Sequence, residues 1–575
     1  MNLGRINNGY ECFHSTIRRL KIKTDIKLLP RAQTSFQAIR HTHKVYVDKS
    51  DMVARLAFEE GYQSAPVFLS RPRRFGKSLL CSTFRSFFEH GDRDFKGLKL
   101  EALYRELPQQ QKDAIAFSRV VYLDFAPMLK GSVEEFKRSF LNDLRAAIIG
   151  SGYDNPPDCD NAVDLLKAFL TLSSDYTVVL IIDEYDSPLV HFMSEPTQFQ
   201  EVLTFLEAFY QSIKSLNSKL LFTFITGVVR FSIVGLTSGA NQANDITLQE
   251  EYATLLGYTG DEILQYFDDY VAYAAEDMGS PIDDVYARLK DNYDGFRMSP
   301  ESEKTVHSPW SLLNFLIYPN QGFRNYWYRT GGQTVLLEQL FLTLLERTTS
   351  PDDFDHLAAV SEDKLSGHTD LRDTKITAIP PEILLTQAGY LTIKEVRPGG
   401  KIILGTPNLE VRRSIAAVGI RRRVTQCLST SQQIELGRLE SYLRSGDHGQ
   451  IKEAFNLYLG TLEYYDNVLM NEQSLRNLIY GYMLGSGFDV HREAIEADGR
   501  CDLEVLFKEP RLRCVFEFKL ASSPDALEAV MKVALDQITG RHYDELPQFS
   551  YKLLGYGVVI GAWSKRVERI GFIQS

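Results

Sequence analysis

From Val67 to Phe88 the chain reads VFLSRPRRFGKSLLCSTFRSFF: a short apolar run, a basic turn ending in Gly76-Lys77-Ser78, and a segment where Leu79, Leu80, Phe84, Phe87 and Phe88 recur at helical spacing. Little else in the sequence limits the fold so strongly, because strand, tight turn and buried helix must follow one another within about twenty residues. A junction of this kind aims backbone N–H groups and the positive end of a helix at an anion. In that reading Lys77 reaches the β- and γ-phosphates of a nucleotide and the Ser78 hydroxyl meets Mg²⁺. Arg71, Arg73, Arg74, Phe75, Gly76 and Leu79 complete the candidate triphosphate cradle. Arg71 stands where the pattern G-x-x-x-x-G-K-[ST] has its first Gly, so the turn must close on phosphate by another route. The alternative is a basic surface loop before an ordinary helix.

A second signal is TVVLIIDEYDSPL, from Thr177 to Leu189, where the apolar run Val178 to Ile182 ends in Asp183-Glu184. A buried parallel strand that delivers carboxylates to the carboxyl edge of a sheet has this form. Asp183 would hold Mg²⁺ through water and Glu184 would polarise the attacking water. Taken alone, the run could equally be a core strand ending in a solvated acidic turn; the Gly-Lys-Ser turn upstream favours nucleotide binding. A third apolar run, Leu220 to Ile225, ends at Thr226-Gly227, with Arg230 close behind. Thr226 is a candidate sensor of the γ-phosphate and Arg230 a candidate stabiliser of transferring charge, although both residue types are commonly structural at such places.

With 575 residues the chain is too long for one core and implies about three or four domains. Its 44% hydrophobic and 24% charged content is that of a globular protein, and the formal charge of −11 argues against a generally basic nucleic-acid coat. The six cysteines are scattered without C-x-x-C pairs, so neither a zinc framework nor a disulfide scaffold is expected, and free thiols fit a reducing compartment. No stretch approaches the length of a membrane span and the first residues lack an apolar signal core, so a cytoplasmic protein with no membrane partner is expected.

Towards the C-terminus, a helical stretch from Asn471 to Leu484 precedes two strand-like runs that face each other across Lys508-Glu509-Pro510-Arg511. On the second run Glu517 and Lys519 share one face, while Cys514, Phe516 and Phe518 share the other. One acid on each strand, Asp502 and Glu517, can then converge. Two carboxylates and the carbonyl of Phe518 suit Mg²⁺, and the Lys519 ammonium can orient water or offset developing charge, which is what phosphodiester cleavage needs. Glu472 is a further acid within reach from the preceding helix. A salt-bridged strand face is the alternative for E-x-K by itself.

The layout D…E-x-K resembles the PD-(D/E)XK nucleases; the flanking Gly-Arg-Cys-Asp, a following helix with Gln537 and the later Tyr543 match that pattern. The chain as a whole resembles the bacterial AAA-ATPase-like family that commonly carries such a C-terminal domain. FQAIR with YVDKS (Phe36 to Ser50), FLSRPRRFGKS, LIIDEYDSPL, FITGVVRFS (Phe224 to Ser232), NYDGF (Asn292 to Phe296), PWSLLNFL (Pro309 to Leu316), NYW (Asn325 to Trp327) and QAGYLTI (Gln387 to Ile393) carry the likeness. The resemblance implies that Arg71 is a variant shared by the group. The sequence departs from the pattern at His307 to Trp310, where Asn-Pro-Trp is usual, and at Gly239 to Asp245, where an Asn-Asn pair is usual.

The expected fold class is α/β: a P-loop, AAA-like ATPase core with a helical lid and a winged-helix-like module, plus a C-terminal α/β PD-(D/E)XK nuclease-like domain. The expected division is an N-terminal extension (1–30), the ATPase core (31–257), the lid (258–370), the winged-helix-like module (371–425), a helical linker (426–468) and the nuclease-like domain (469–575). Aromatic Tyr293, Phe296, Trp310, Tyr326 and Trp327 read as core, and Arg412, Arg413 and Arg421 to Arg423 as a solvated helix face or a nucleic-acid contact. ATP and Mg²⁺ are the implied cofactors and nucleic acid, DNA ahead of RNA, the implied partner. A homo-oligomer follows if Arg230 acts across a subunit interface. The leading functional expectation is an ATP-binding, ATP-hydrolysing switch coupled to a metal-dependent nuclease, and the resemblance suggests a phage-defence or mobile-element setting. The alternative is a STAND-like signalling or scaffolding ATPase whose C-terminal module binds nucleic acid or a partner without cutting.

Overall fold

The computed structural model describes residues 26–58, 65–128, 131–193, 195–233, 243–327, 358–361, 364–365, 369–370, 380–461, 472–492, 495–496, 499–507, 511–540 and 552–574. Residues 1–25 of the expected extension, 239–242 of the departure at Gly239 to Asp245, much of the stretch 328–379, the turn residues 508–510 and Tyr543 lie outside these, as do the side chains of Arg421 to Arg423. The chain forms two compact units, Met1–Gly331 with Ala359–Asn408, and Gly332–Ala358 with Leu409–Ser575.

In the first unit, five parallel strands lie side by side: β1 (Val67–Ser70), β2 (Arg119–Asp124), β3 (Val178–Asp183), β4 (Leu220–Gly227) and the short β5 (Asn244–Asp245), in the order β2-β3-β4-β1-β5. Every residue of β1 and β3 is buried, as near-continuous apolar runs in a sheet covered on both faces should be. Helix α1 (Lys77–His90) follows β1 and packs Phe84 and Phe88 onto Phe222 and Phe224 of β4. Its stripe is Leu80, Phe84, Phe87 and Phe88, with Leu79 only half-buried. Because all strands run in parallel, the phosphate-loop turn, Asp124, Asp183 and Gly227 end at one edge of the sheet, where ligands bind in open α/β folds.

Helices α2 (Gly260–Met278), α3 (Ile282–Tyr293) and α4 (Pro309–Ile317) form a separate apolar cluster around Phe267, Val271, Leu289, Tyr293 and Phe315. Thr259 opens α2 with a capping box completed by Glu262, and Ser308 caps α4. Strands β6 (Thr392–Arg397) and β7 (Lys401–Gly405) pair as a hairpin around Pro398-Gly399-Gly400. The boundary between the units falls at Asn408, inside the stretch expected as one winged-helix-like module. Its hairpin lies in the first unit and the helix α5 (Leu409–Cys427) in the second.

In the second unit, strands β8 (Asp489–Arg492), β9 (Leu503–Phe507), β10 (Leu512–Ala521), β11 (Lys552–Gly561) and β12 (Val567–Gln574) form a sheet in that order, antiparallel except for the parallel pair β10–β11. A parallel pair needs a crossover, and helix α8 (Leu527–Gly540) supplies it. Before the sheet come α6 (His448–Gly460) and α7 (Glu472–Gly485). Residues 426–468, expected as a linker, contribute Leu436, Leu439, Leu443, Ile451, Phe455 and Tyr458 to the same core as Leu503, Phe516 and Tyr556. Among the described residues no helix is long and apolar enough to cross a membrane.

Candidate functional site

Gly76 ends the phosphate loop at φ 102°, a left-handed conformation that an L side chain resists, and the helix starts at Lys77. The Lys77 ammonium is buried and donates to the carbonyls of Arg71 (3.1 Å) and Pro72 (3.3 Å), so it lies folded over its own loop. Arg71 answers the question raised by the missing Gly. Its main-chain N–H donates to Gly227 O, while its guanidinium turns into the protein and donates to the carbonyls of Ser70 (3.0 Å), Thr247 (2.6 Å) and Tyr252 (2.9 Å). Burial pulls its pKa down to about 10, opposed by Asp245. The middle of the loop is pinned by three contacts: Phe75 edge-on to Phe296, the Arg74 guanidinium over the Trp310 ring, and the Trp327 indole N–H on Arg73 O (3.0 Å). Of the aromatics expected in the core, Tyr293, Phe296 and Trp327 are buried, and Trp310 and Tyr326 are half-buried.

Beside the loop, Asp183 is fully buried. Its Oδ1 accepts a hydrogen bond from Glu184 N (3.0 Å), while its Oδ2 is buried with no hydrogen-bond partner. Burial raises its pKa, with Ser78 and Lys77 acting in the other direction. A serine hydroxyl against an orphaned carboxylate oxygen is a hard-donor pair that Mg²⁺ suits. Glu184 adopts φ 54° and accepts from the Ser187 hydroxyl (2.9 Å). The geometry thus gathers Lys77, Ser78, Asp183 and Glu184.

Two other candidates have structural partners. The Thr226 hydroxyl donates to Leu69 O (2.7 Å), clipping β4 to β1, and Arg230 pairs with Asp245 (2.6 Å) and donates to Leu365 O (3.0 Å). One acid escaped the sequence reading. Asp124 ends β2 directly across from Asp183, and burial, with the charges of Asp183 and Glu184, pushes its pKa up to about 6. The signal was available, since VVYLD repeats the pattern of an apolar run closed by an acid.

In the second unit, β9 and β10 pair Leu503 with Phe516, which sets Asp502 opposite Glu517. Asp502 Oδ2 accepts from Phe518 N (2.8 Å), so its carboxyl lies against the peptide that follows Glu517. Glu517 is fully buried and faces Gly557 on β11. The Lys519 ammonium donates to Phe518 O (3.0 Å) and pairs with Glu472 (3.0 Å) at the start of α7. One turn further along that helix, Arg476 lies 3.2 Å from Asp502 Oδ1. Sequence reasoning missed Arg476, although the spacing Glu472, Arg476 places both on one helix face. Gln537 is half-buried on α8, one residue before Ile538, which packs on the sheet. Arg413 faces inward and pairs with Asp489 (3.1 Å).

Among the described residues no three His, Cys, Asp or Glu side chains form a ready metal cage. The donor set on offer is two carboxylates, Asp502 and Glu517, with the Phe518 carbonyl, all hard oxygens of the kind Mg²⁺ takes with water completing its shell.

Comparison with known proteins matches two separate regions of the chain. Residues 30–237 fit the family described as predicted AAA-ATPase, and residues 470–569 fit the PD-(D/E)XK nuclease superfamily. A protein of Azotobacter chroococcum mcd 1, described as an uncharacterized protein in the vnfD 5′ region, is 29% identical over 515 residues, covering 88% of this chain and 92% of its own length. The chain therefore carries an AAA-ATPase-like region and a C-terminal PD-(D/E)XK nuclease-like region, as the sequence resemblance implied.

Proposed function

We propose that this chain is an ATP-hydrolysing switch whose nucleotide state governs a C-terminal, Mg²⁺-dependent nuclease acting on DNA phosphodiesters, with RNA the second substrate class to test. The observation that carries the nuclease half is the cross-strand pair Asp502 and Glu517, fixed by the hydrogen bond from Phe518 N and followed by Lys519 on the same strand. For the ATPase half it is Ser78 and Lys77 beside the buried carboxylate of Asp183, whose Oδ2 has no hydrogen-bond partner.

When a triphosphate enters, Lys77 exchanges the carbonyls of Arg71 and Pro72 for phosphate oxygens, a stronger, charge-assisted set of partners. Ser78 and Asp183 would hold Mg²⁺, and Glu184 orients a water towards the terminal phosphate. In the second unit Asp502, Glu517 and the Phe518 carbonyl would hold Mg²⁺, which supplies Lewis-acid polarisation of the phosphate. Lys519, released from Glu472, donates to the phosphate or to the attacking water. No membrane partner enters this reading, and a cytoplasmic setting suits the free thiols of Cys81, Cys159, Cys427, Cys501 and Cys514.

A second reading, a module that binds nucleic acid without cutting, is favoured by one observation: Asp502 and Lys519 are each engaged by a side chain of α7. Incubation of single- and double-stranded DNA and RNA with the wild type, Lys77→Ala and Lys519→Ala in Mg²⁺, with and without ATP, separates the two. Cleavage lost in Lys519→Ala supports the nuclease. Binding without cleavage in every variant supports the second reading.

A further inference from the structure

Helix α7 presents two opposite charges to the nuclease-like site, each against its counterpart. The Glu472–Lys519 pair is half open to solvent on the acid side (44% exposed) and so holds little energy. The Arg476–Asp502 pair is different, because both side chains keep only 15–16% of their exposure. A guanidinium stays charged at any physiological pH, and a desolvated one needs an anion. Arg476 is therefore a permanent cation at the oxygen that a divalent ion would also need. The other oxygen of the same carboxyl is held by Phe518 N.

We propose that Arg476 is a substrate-contacting residue: in the free chain it pairs with Asp502, and when a divalent cation takes that carboxylate it moves to a non-bridging oxygen of the nucleic-acid phosphate. This rests on the reading of Asp502 and Glu517 as a metal site. Two cations close together repel unless an anion lies between them, and a phosphodiester supplies that anion. The planar fork of arginine matches two phosphate oxygens at once, which an ammonium cannot do. It follows that metal and nucleic acid strengthen each other's binding through Arg476, and by the same factor in both directions. Glu472, one turn earlier, keeps Lys519 in place until the same phosphate arrives.

The test uses the full chain with two binding readouts. Mn²⁺ binding is followed by electron paramagnetic resonance, the second-unit site being the stoichiometry lost in Asp502→Ala, and DNA binding by anisotropy of a labelled oligonucleotide in Ca²⁺. Arg476→Gln should tighten Mn²⁺ binding to the free protein about fivefold, since a competing cation is gone, and weaken DNA binding about tenfold or more. Arg476→Lys should fall between wild type and Arg476→Gln in DNA binding. Weaker Mn²⁺ binding in Arg476→Gln, or unchanged DNA affinity, overturns the proposal; a merely structural arginine would weaken both together and lower the melting temperature. If Asp502→Ala loses no Mn²⁺ at all, the metal-site reading itself falls, an outcome distinct from failure of the Arg476 role alone.

Discussion

At the position of the missing loop glycine, Arg71 leaves its backbone to shape the phosphate loop and turns its side chain away to hold the carbonyls of Ser70, Thr247 and Tyr252. Its removal takes a charged donor from all three, Tyr252 O keeping a second donor in Leu255 N, so Arg71→Ala should lower stability by about 2 kcal/mol, measured by urea unfolding, and weaken ATP binding only as a consequence. Arg71→Lys should rescue little, because one ammonium cannot span the three carbonyls. Asp186 offers a test by pH. It is buried, accepts from Val228 N and Val229 N, and burial pushes its pKa up to about 6 from the ordinary 3.8. A carboxyl raised in the folded state binds more protons folded than unfolded, so its contribution to stability falls as pH rises from about 4 to about 6 and is flat above. That fall is about 3 kcal/mol, and Asp186→Asn should remove it from the pH dependence of the unfolding midpoint.

Among the elements, α8 shows what positions Glu517. Across the second sheet, Glu517 pairs with Gly557, and Gly557 with Gly571. A Cβ on Gly571 would meet Met531 Sδ at 2.5 Å, and one on Gly557 would meet Ala534 and Leu535 at 3.1 Å, so this row of small residues lets α8 approach and bury the acid. Gly557→Val should lift the helix, cost about 1–3 kcal/mol by overpacking and weaken Mn²⁺ binding at Asp502 and Glu517; a calorimetric titration that finds metal affinity unchanged would separate the helix from the site. The strand-turn-helix at Lys77, the acid-ended strand at Asp183 and the hairpin bearing Asp502 and Glu517 were all legible in the sequence. Each is local and repeats with a fixed period. The partners of Thr226, Arg230 and Arg71 were not, since Leu69, Asp245 and Tyr252 are brought to them by the fold and not by spacing. For the same reason the helices between residues 430 and 460 read as a linker, although their apolar faces belong to the second core. Asp124 and Arg476 could have been read, one from the pattern of its strand and the other from its place one turn after Glu472.

On the scale of the whole molecule, each of the two compact units carries a cluster of acids with a lysine in attendance: Asp183, Glu184 and Lys77 at strand and loop ends in the first, Asp502, Glu517 and Lys519 across a strand pair in the second. Both clusters fall inside the matched regions. The central claim is that the first cluster handles a triphosphate and the second a phosphodiester, and that the first controls the second. Its most direct test is the rate of DNA cleavage by the purified full chain in Mg²⁺, with and without ATP, for wild type, Lys77→Ala and Glu517→Ala. Cleavage should respond to ATP in the wild type, no longer respond in Lys77→Ala, and be absent in Glu517→Ala. Cleavage by Glu517→Ala at the wild-type rate, or an ATP response that survives in Lys77→Ala, would contradict the central claim.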